Sequence, residues 1–265
     1  MKKIRIKTAL VSVSDKTNLI KLASYFVDKN ILVISSGGTF KYLKKLNPKL
    51  KLIEVSDYTK FNEILDGRVK TLHPIIHAGI LADKNKASHI NQLSHLKTNP
   101  IDLVIVNLYP FEKTINKTSI ETKCIENIDI GGPSLIRGAA KNYKSVVAVT
   151  SPNQYDELIA EANKNKNCIS SNFSKKLATE AFKHTAYYDT IIANWFDKHN
   201  EIYQSDSITI PFKKVNNLRY GENPHQKAAI FSLGNNEVKK ISGKDLSYNN
   251  IVDLEIAFEL ANNFK

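Results

Sequence analysis

The sequence contains very little arginine. Among its 38 basic residues, arginine stands only at Arg5, Arg68, Arg137 and Arg219, and lysine supplies the rest. The planar guanidinium of arginine binds a phosphate or a carboxylate through two parallel hydrogen bonds, which the ammonium of lysine cannot do. The stretches around Arg68, Arg137 and Arg219 are therefore the first places to examine for a site that binds an anion.

Cysteine and long apolar runs are also scarce. Cys124 and Cys168 are far apart and form no CxxC pair, so neither a disulfide framework nor a zinc site is indicated. No apolar run is long enough to span a bilayer, and the N-terminus lacks the apolar core and cleavage site of a secretory signal. With 42% hydrophobic and 24% charged residues, the composition is typical of a soluble globular protein, and we expect a cytoplasmic location with reduced thiols.

The net charge of +12 raises the question of a nucleic-acid partner. The lysines are spread along the whole chain among asparagines and isoleucines, as in LKKLNPKLKLIEV, rather than clustered in a stripe. A general bias toward Lys, Asn and Ile explains the charge better than a binding surface does. We therefore expect neither a nucleic-acid nor a membrane partner.

Strand and helix signals alternate over the first 150 residues. Short apolar runs rich in β-branched residues are separated by segments of helical periodicity, and strands are expected at 8–13, 31–35, 51–55, 101–107 and 145–150. This alternation predicts an α/β fold with a mainly parallel sheet and helices on both faces. In such sheets ligands bind at the carboxyl ends of the strands. Residues 152–199 are expected to be helical.

The pattern changes after this helical region. Strands are expected at SITIPFKKV (207–215) and AAIFSL, on either side of the polar turn LRYGENPHQ, and a helix is expected over 251–264. We therefore divide the chain into a first domain, 1–203, and an incomplete α+β segment, 204–265. The last helix shows no terminating glycine or proline, as expected if this segment is the beginning of a larger domain.

The first two strands end in residues suited to bind an anion. SVSDK (12–16) and SSGGT (35–39) both offer hydroxyls and free backbone N–H groups at the start of a helix, and Lys16 adds a positive charge. Either motif alone is common in proteins. Two of them on neighbouring strands of one sheet predict a phosphate site.

The stretch LDGRVKTLHP concentrates further polar groups. Gly67 provides a bend for Arg68, and Arg68, Lys70 and Thr71 could all face one anionic ligand. His73 and His77 lie four residues apart, as metal ligands on a helix do, but no third ligand of suitable spacing is near them. We therefore predict that both histidines cap or pack a helix, and we predict no metal site.

Two later stretches add an acid and more bases. NLYPF places Asn107 and Tyr109 where the fourth strand ends. In NIDIGGPSLIRGAAKN, Asp129 precedes a double glycine that opens a helix carrying Arg137 and Lys141, which lie four apart and hence on one face. N-capping would also explain the aspartate. The combination of an acid, a double glycine and two bases favours a site.

The chain resembles a family of bifunctional purine-biosynthesis enzymes, in which IMP cyclohydrolase is fused to aminoimidazole carboxamide ribonucleotide (AICAR) formyltransferase. The motifs that carry the resemblance follow the family's order: SVSDK, SGGT, GRVKTLHP with HAGIL, NLYPF, IDIGGPSLIRGAAKN and RYGENPHQ. The resemblance covers residues 8–258. It implies a methylglyoxal-synthase-like three-layer α/β/α sandwich for the first domain. It also implies the reaction, which closes the ring of formyl-AICAR to give inosine monophosphate (IMP) and water.

The resemblance also implies roles for individual residues. The substrate phosphate is expected on Ser12, Ser14, Lys16, Ser36, Gly37, Gly38 and Thr39. The family's catalytic positions correspond to Lys70, Tyr109, Asp129 and Lys141, and the remaining substrate-binding positions to Arg68, Thr71, Asn107, Gly131 and Gly132. Asp129 is expected to orient the carboxamide or take its proton, and Lys70 and Lys141 to polarise the formyl oxygen. No metal or organic cofactor is implied for this step.

The second segment resembles the start of the formyltransferase domain, in which Arg219 and Tyr220 would contact AICAR. The sequence ends at Lys265, before the family's catalytic Lys-His pair, so we expect no formyl transfer by this chain alone. Formyl-tetrahydrofolate is implied as a co-substrate only of a complete formyltransferase. The family is homodimeric mainly through the formyltransferase half, which leaves a homodimer of this chain open.

Three other interpretations remain at this point. The same fold serves elsewhere as a phosphate-sensing regulatory domain, and it also serves a methylglyoxal-synthase-type lyase. An inactive remnant is the third, because an incomplete second domain would expose apolar faces. The set Lys70, Tyr109, Asp129 and Lys141 discriminates, because a domain that only binds phosphate needs neither an acid nor additional bases.

Overall fold

The structure is a computed structural model, and it describes three stretches of the chain: residues 3–199, 206–233 and 241–264. The chain divides into two units, Met1–Ile192 and Ala193–Lys265, and each is described by itself. The domain boundary predicted at residue 203 lies outside the described residues and stays a prediction.

The first unit alternates strands with helices. Its strands are β1 (Lys3–Arg5), β2 (Thr8–Val13), β3 (Leu32–Ser35), β4 (Lys51–Glu54), β5 (Leu103–Asn107), β6 (Val147–Val149) and β7 (Cys168–Ser170). Its helices are α1 (Leu19–Asp28), α2 (Gly37–Leu46), α3 (Val55–Thr59), α4 (Pro74–Leu81), α5 (Ala87–His95), α6 (Phe111–Ile115), α7 (Glu121–Glu126), α8 (Gly131–Lys141) and α9 (Tyr155–Lys164), and α10 (Ser171–His199) begins in this unit.

The central sheet has five parallel strands in the order β4-β3-β2-β5-β6. Val11 of β2 pairs with Ser35 of β3 on one side and with Ile105 of β5 on the other. The predicted parallel sheet and the positions of its strands are therefore confirmed. The antiparallel pair of β1 and β7 was not predicted, because a strand of three residues is too short to show a period.

Helices cover both faces of this sheet. Alternate residues of a strand point to opposite faces, so each face has its own set of side chains that a layer of helices can bury. On one face, Val11 and Ile105 belong to a buried cluster that also contains Phe26 of α1 and Leu158 of α9. Val104 of β5 is buried on the opposite face, where α8 packs against β5 and β6, and α4 packs against α8. The result is the three-layer α/β/α sandwich that was predicted.

The second unit is described as an antiparallel strand pair and a helix: β8 (Lys213–Asn217), β9 (Ala229–Ser232) and α11 (Tyr248–Asn263). The helix begins at a capping box, in which the side chains of Ser247 and Asn250 each accept a hydrogen bond from the other's backbone N–H. Over the described residues, no helix combines the length and the apolar character needed to cross a membrane.

The strand predicted at 207–215 is wrong in its first part. The observed strand begins only at Lys213 and continues to Asn217. Pro211 has no N–H to donate to a neighbouring strand, which disfavours pairing just before Lys213. The apolar residues that suggested the strand, Ile208 and Ile210, are exposed.

Asp102 connects the residues that precede β2, β5 and β6, at the edge of the central sheet where these strands begin. Its Oδ2 accepts hydrogen bonds from the backbone N–H groups of Lys7 (2.7 Å) and Thr8 (2.8 Å). Its Oδ1 forms an ion pair with Lys84, whose ammonium also donates to the carbonyl of Ser145 at 2.6 Å. Because Asp102 is buried and its carboxylate accepts several hydrogen bonds, this contact stabilises the edge of the sheet opposite to the carboxyl ends of the strands.

We predict that Asp102→Ala lowers the free energy of unfolding by about 3–5 kcal/mol, because it leaves the Lys84 ammonium and two backbone N–H groups without their acceptor. Chemical denaturation measures this change. Asp156→Ala is the matched control, since the ion pair of Asp156 with Lys21 is exposed and should contribute less than about 1 kcal/mol. Equal small losses in both variants would contradict the assigned role of Asp102.

Candidate active site

A cavity of about 580 Å³ lies at the carboxyl ends of the central strands. It is lined by every residue predicted for the cyclohydrolase site except Lys141, namely Ser12, Ser14, Lys16, Ser36, Gly37, Gly38, Thr39, Arg68, Lys70, Thr71, Asn107, Tyr109, Asp129, Gly131 and Gly132. These residues come from segments far apart in sequence. They meet because parallel strands bring their carboxyl ends to one edge of the sheet.

The start of α2 forms an anion cradle, defined here as residues 36–39. Ser36 is the N-cap in extended conformation and, within the described chain, makes no side-chain capping bond. The first N–H groups of a helix have no intrahelical acceptor, and the helix dipole favours negative charge there. A Cβ on Gly38 would meet no described atom within 4 Å, so this turn is open to the cavity.

Two predicted phosphate ligands have their hydroxyls bonded to the protein. The Thr39 hydroxyl donates to the carbonyl of Val13 at 3.0 Å and accepts from its N–H at 3.1 Å. The Ser14 hydroxyl lies 2.7 Å from the carbonyl of Leu108 and 3.0 Å from Oδ1 of Asn107. These bonds join the loops at the strand ends, so Thr39 can offer a phosphate its backbone N–H rather than its hydroxyl hydrogen.

Lys16 supplies the positive charge expected near the cradle. It is partly buried, and its Nζ lies 5.9 Å from the centre of the Tyr42 ring on α2. This position on the ring face is the geometry of a cation–π contact. The contact keeps the ammonium at the cavity while leaving its hydrogens available to an anion.

The segment 67–71 joins the two helix starts at the cavity. A Cβ added to Gly37 would lie 2.7 Å from Nζ of Lys70, and one added to Gly131 would lie 2.9 Å from Oγ1 of Thr71. Lys70 therefore reaches the start of α2, and Thr71 reaches the start of α8. Gly67 permits the preceding turn, because its φ of 87° is in the left-handed region that favours glycine.

Two glutamates that were not predicted bind the cations of this segment. Glu63 forms an ion pair with Lys70, and the hydrogen bond from Lys70 lowers the pKa of the Glu63 carboxyl. Glu126, the last residue of α7, forms an ion pair with Arg68. The first pairing follows from a hairpin in which Ile64 and Val69 bridge, so the next residues outward lie opposite each other.

Asp129 is the partly buried acidic group of the cavity, whereas the Asp66 and Glu126 side chains that also line it are exposed. Its Oδ1 accepts from the N–H of Gly132 at 2.7 Å, and its carboxylate also accepts from the backbone N–H of Tyr109. Burial raises the pKa of the Asp129 carboxyl above its usual value, and these two hydrogen bonds only partly oppose the rise. The Tyr109 side chain is about half exposed at the same cavity.

Tyr188 of α10 was not predicted, although it contacts the backbone of the Asp129 loop at two points. Its hydroxyl accepts from the N–H of Asp129 at 2.8 Å and donates to the carbonyl of Asn127 at 3.2 Å. No short motif reveals this contact, because more than fifty residues separate the two groups.

The predicted capping role of His73 is confirmed, since its side chain accepts from the N–H of Ile75 at 3.3 Å.

Lys141 is the predicted site residue that the structure does not bring to the cavity. The cavity contains the first residues of α8, whereas Lys141 is its last residue and is exposed. Ten residues of helix rise about 15 Å. The catalytic role of Lys141 stays a prediction from the resemblance.

In the second unit, the predicted AICAR contacts Arg219 and Tyr220 touch each other. The Arg219 guanidinium lies 4.9 Å from the centre of the Tyr220 ring and donates to its hydroxyl at 3.2 Å. Hydrogen bonding with Ser247 and with Arg219 lowers the pKa of the Tyr220 hydroxyl. Binding of AICAR by these two residues stays a prediction.

The fold defines an α/β domain of the methylglyoxal-synthase-like class, with a cavity at the strand ends that is lined by basic and acidic side chains. The family described as MGS-like domain matches residues 18–134, and the family described as AICARFT/IMPCHase bienzyme matches residues 139–265. The chain therefore belongs to the family of bifunctional purine biosynthesis proteins.

Individual relatives agree with this assignment. The bifunctional purine biosynthesis protein PurH of Prochlorococcus marinus (strain MIT 9515) is 49% identical over 94% of this chain and 48% of its own length. The protein of the same name from Acetivibrio thermocellus is 45% identical over 98% of this chain and 51% of its own. The chain thus spans about half the length of these relatives. The crystal structure of ForH is 28% identical with a TM-score of 0.63, over 72% of this chain and 99% of ForH.

We predict opposite effects for two glycines at the cavity. A Cβ on Gly132 would lie 2.5 Å from Oδ2 of Asp129 and 2.6 Å from Cδ2 of Leu108, so Gly132→Ala should lower the free energy of unfolding by about 1–3 kcal/mol. Gly38→Ala should raise it by about 0.4–1 kcal/mol, because the site is open and alanine restricts the unfolded chain. Denaturant titration of both variants measures the difference, and equal stabilities would contradict the tight contact at Gly132.

Proposed function

We propose that this chain is an IMP cyclohydrolase, which closes the ring of formyl-AICAR to give IMP and water. The observation that carries the proposal is the content of one cavity. An anion cradle, the three cations Lys16, Arg68 and Lys70, and a carboxylate of raised pKa line it together. A ribonucleotide substrate needs the cradle for its phosphate and the remaining groups for the reaction at its base.

The reaction joins the carboxamide nitrogen to the formyl carbon and releases the formyl oxygen as water. In this proposal the carboxylate of Asp129 takes a proton from the carboxamide as the nitrogen attacks. The ammonium of Lys70, once released from Glu63, stabilises the negative charge on the formyl oxygen. Tyr109, which lines the same cavity, gives that oxygen a first proton from its hydroxyl. The protonated Asp129 then gives a second proton as the C–O bond breaks and water leaves, and the Tyr109 oxygen takes the proton of the formamide nitrogen as the new C=N bond forms, so both side chains return to their starting states.

Burial of Asp129 supports its role as the base. A carboxylate with an ordinary pKa is a weak base at neutral pH, and a raised pKa increases its affinity for the carboxamide proton. The N–H groups of Gly132 and Tyr109 fix the carboxylate without neutralising it. A phosphate bound at the anion cradle would supply binding energy that positions the reacting atoms.

The proposal for the preceding reaction, which makes formyl-AICAR, is narrower. Formyl transfer from formyl-tetrahydrofolate to AICAR is proposed only for a chain that includes the remaining length of the relatives, and Arg219 with Tyr220 would contribute to AICAR binding there. The substrate proposed for the present chain is a small nucleotide, and no cofactor is proposed for its step. The composition supports a cytoplasmic location.

Turnover of formyl-AICAR by the purified chain tests the function, with IMP detected by ultraviolet absorbance. We predict turnover by the wild type and a loss of about a hundredfold or more in Lys70→Ala. Lys21→Ala, which removes an exposed lysine outside the cavity, should keep the wild-type rate. A folded wild-type chain without turnover would overturn the proposal.

Lys141→Ala tests the resemblance separately, since an unchanged rate would remove Lys141 from the site.

The rate should also depend on pH through Asp129. The base acts only when ionised, so a raised pKa means that activity is lost as the pH falls through a midpoint above the ordinary value of 3.8. A profile of kcat against pH measures this acidic limb. A midpoint at or below 3.8 would remove Asp129 from the role of base.

A further inference from the structure

The backbone that carries Asp129 is a short link between two helices. It runs from the end of α7 at Glu126 to the start of α8 at Gly131. Backbone hydrogen bonds to the last turn of α7 hold the first part of the link, so the groups that contact the Asp129 backbone determine the rest of its conformation. The carboxylate itself is held at one end by the N–H groups of Gly132 and Tyr109.

The tyrosine at position 188 holds the peptide backbone of this link. Its hydroxyl accepts from the N–H of Asp129 at 2.8 Å and donates to the carbonyl of Asn127 at 3.2 Å. A phenol hydroxyl has one hydrogen to give and lone pairs to receive, so a single group meets both needs. The hydroxyl thus joins two consecutive peptide groups, the one after Asn127 and the one before Asp129.

The ring of Tyr188 is placed so that the hydroxyl cannot easily move away. Tyr188 is buried, and its ring packs edge-on against Phe111 with the ring centres 6.4 Å apart. Burial raises the pKa of the hydroxyl to about 12, so it stays protonated at neutral pH and keeps both bonds. Packing of the ring and bonding by the hydroxyl are separable, because phenylalanine retains the first and loses the second.

We infer that Tyr188 is a positioning residue for the reaction: it does not touch the substrate, and its hydroxyl fixes the link that aims the Asp129 carboxylate into the cavity. This inference rests on the proposed cyclohydrolase function and deepens it. It assigns to α10, far away in sequence, a part in setting the geometry of the base.

Tyr188→Phe tests the inference, and the chain offers a matched control one residue away. The Tyr187 hydroxyl donates to Oε1 of Glu112 at 3.0 Å, so Tyr187→Phe removes a hydroxyl from the same helix without touching the Asp129 link. Two neutral hydrogen bonds of ordinary strength correspond to about a tenfold effect on a rate. We expect Tyr188→Phe to lower kcat about tenfold with KM within about twofold, and Tyr187→Phe to change neither.

A second measurement is independent of turnover. Hydrogen exchange of the Asp129 amide, followed by NMR, reports on the bond to the Tyr188 hydroxyl directly. We expect about tenfold faster exchange in Tyr188→Phe and wild-type exchange in Tyr187→Phe. Wild-type exchange and kcat in Tyr188→Phe, or equal losses in both variants, would overturn the inference. A wild type that does not turn over but shows the exchange difference would refute the proposed function and leave Tyr188 as an anchor of the link.

If Tyr188→Phe fails to fold, a fluorinated tyrosine at position 188 replaces it. Fluorine on the ring keeps the shape of the side chain and makes the hydroxyl oxygen a weaker acceptor for the Asp129 N–H. We expect kcat to fall about two- to threefold with KM unchanged. An unchanged kcat in this folded protein would overturn the positioning role.

Discussion

The arrangement of the central sheet around β2 is the constraint on which the cavity depends. β2 pairs with β3 on one side and with β5 on the other, so the chain first extends the sheet in one direction and then in the opposite one. The loops after these strands therefore diverge and leave a space at their carboxyl ends. Residues from the start of α2, from segment 67–71 and from the start of α8 fill the walls of that space. A different strand order would separate them.

Much of the fold and part of the site could be predicted from the sequence, for physical reasons. Strands β2, β3, β5 and β6 are largely buried on both faces, so they appear as continuous apolar runs. Small or polar residues such as Ser36 and Asn107 mark the ends of strands. Short elements such as β1, β7 and α3 leave no periodic signal. The strand predicted at 207–215 failed because apolar composition alone does not show whether a strand has a partner.

The site residues that escaped prediction have a common cause. Glu63, Glu126 and Tyr188 act through contacts that only the folded chain creates, and none of them stands at a strand end. Lys141 is the opposite case, because the resemblance predicts it as a site residue although it lies at the end of α8 that is far from the cavity. Short motifs locate groups that lie near a site through local structure. They are less informative about groups that arrive from another element.

The glutamates that pair with Lys70 and Arg68 determine the charge that a ligand meets at these two residues. Both cations are already neutralised before any ligand arrives, by carboxylates that are more than half exposed. Exposed ion pairs contribute little to stability, so they are easily opened. An anionic group of a ligand that binds Arg68 or Lys70 would therefore replace a carboxylate, whereas a phosphate ester at the anion cradle would meet the Lys16 ammonium directly. Binding at these two cations is then an exchange of anions. The displaced glutamate is solvated while the ligand is bound, and it forms its ion pair again when the product leaves.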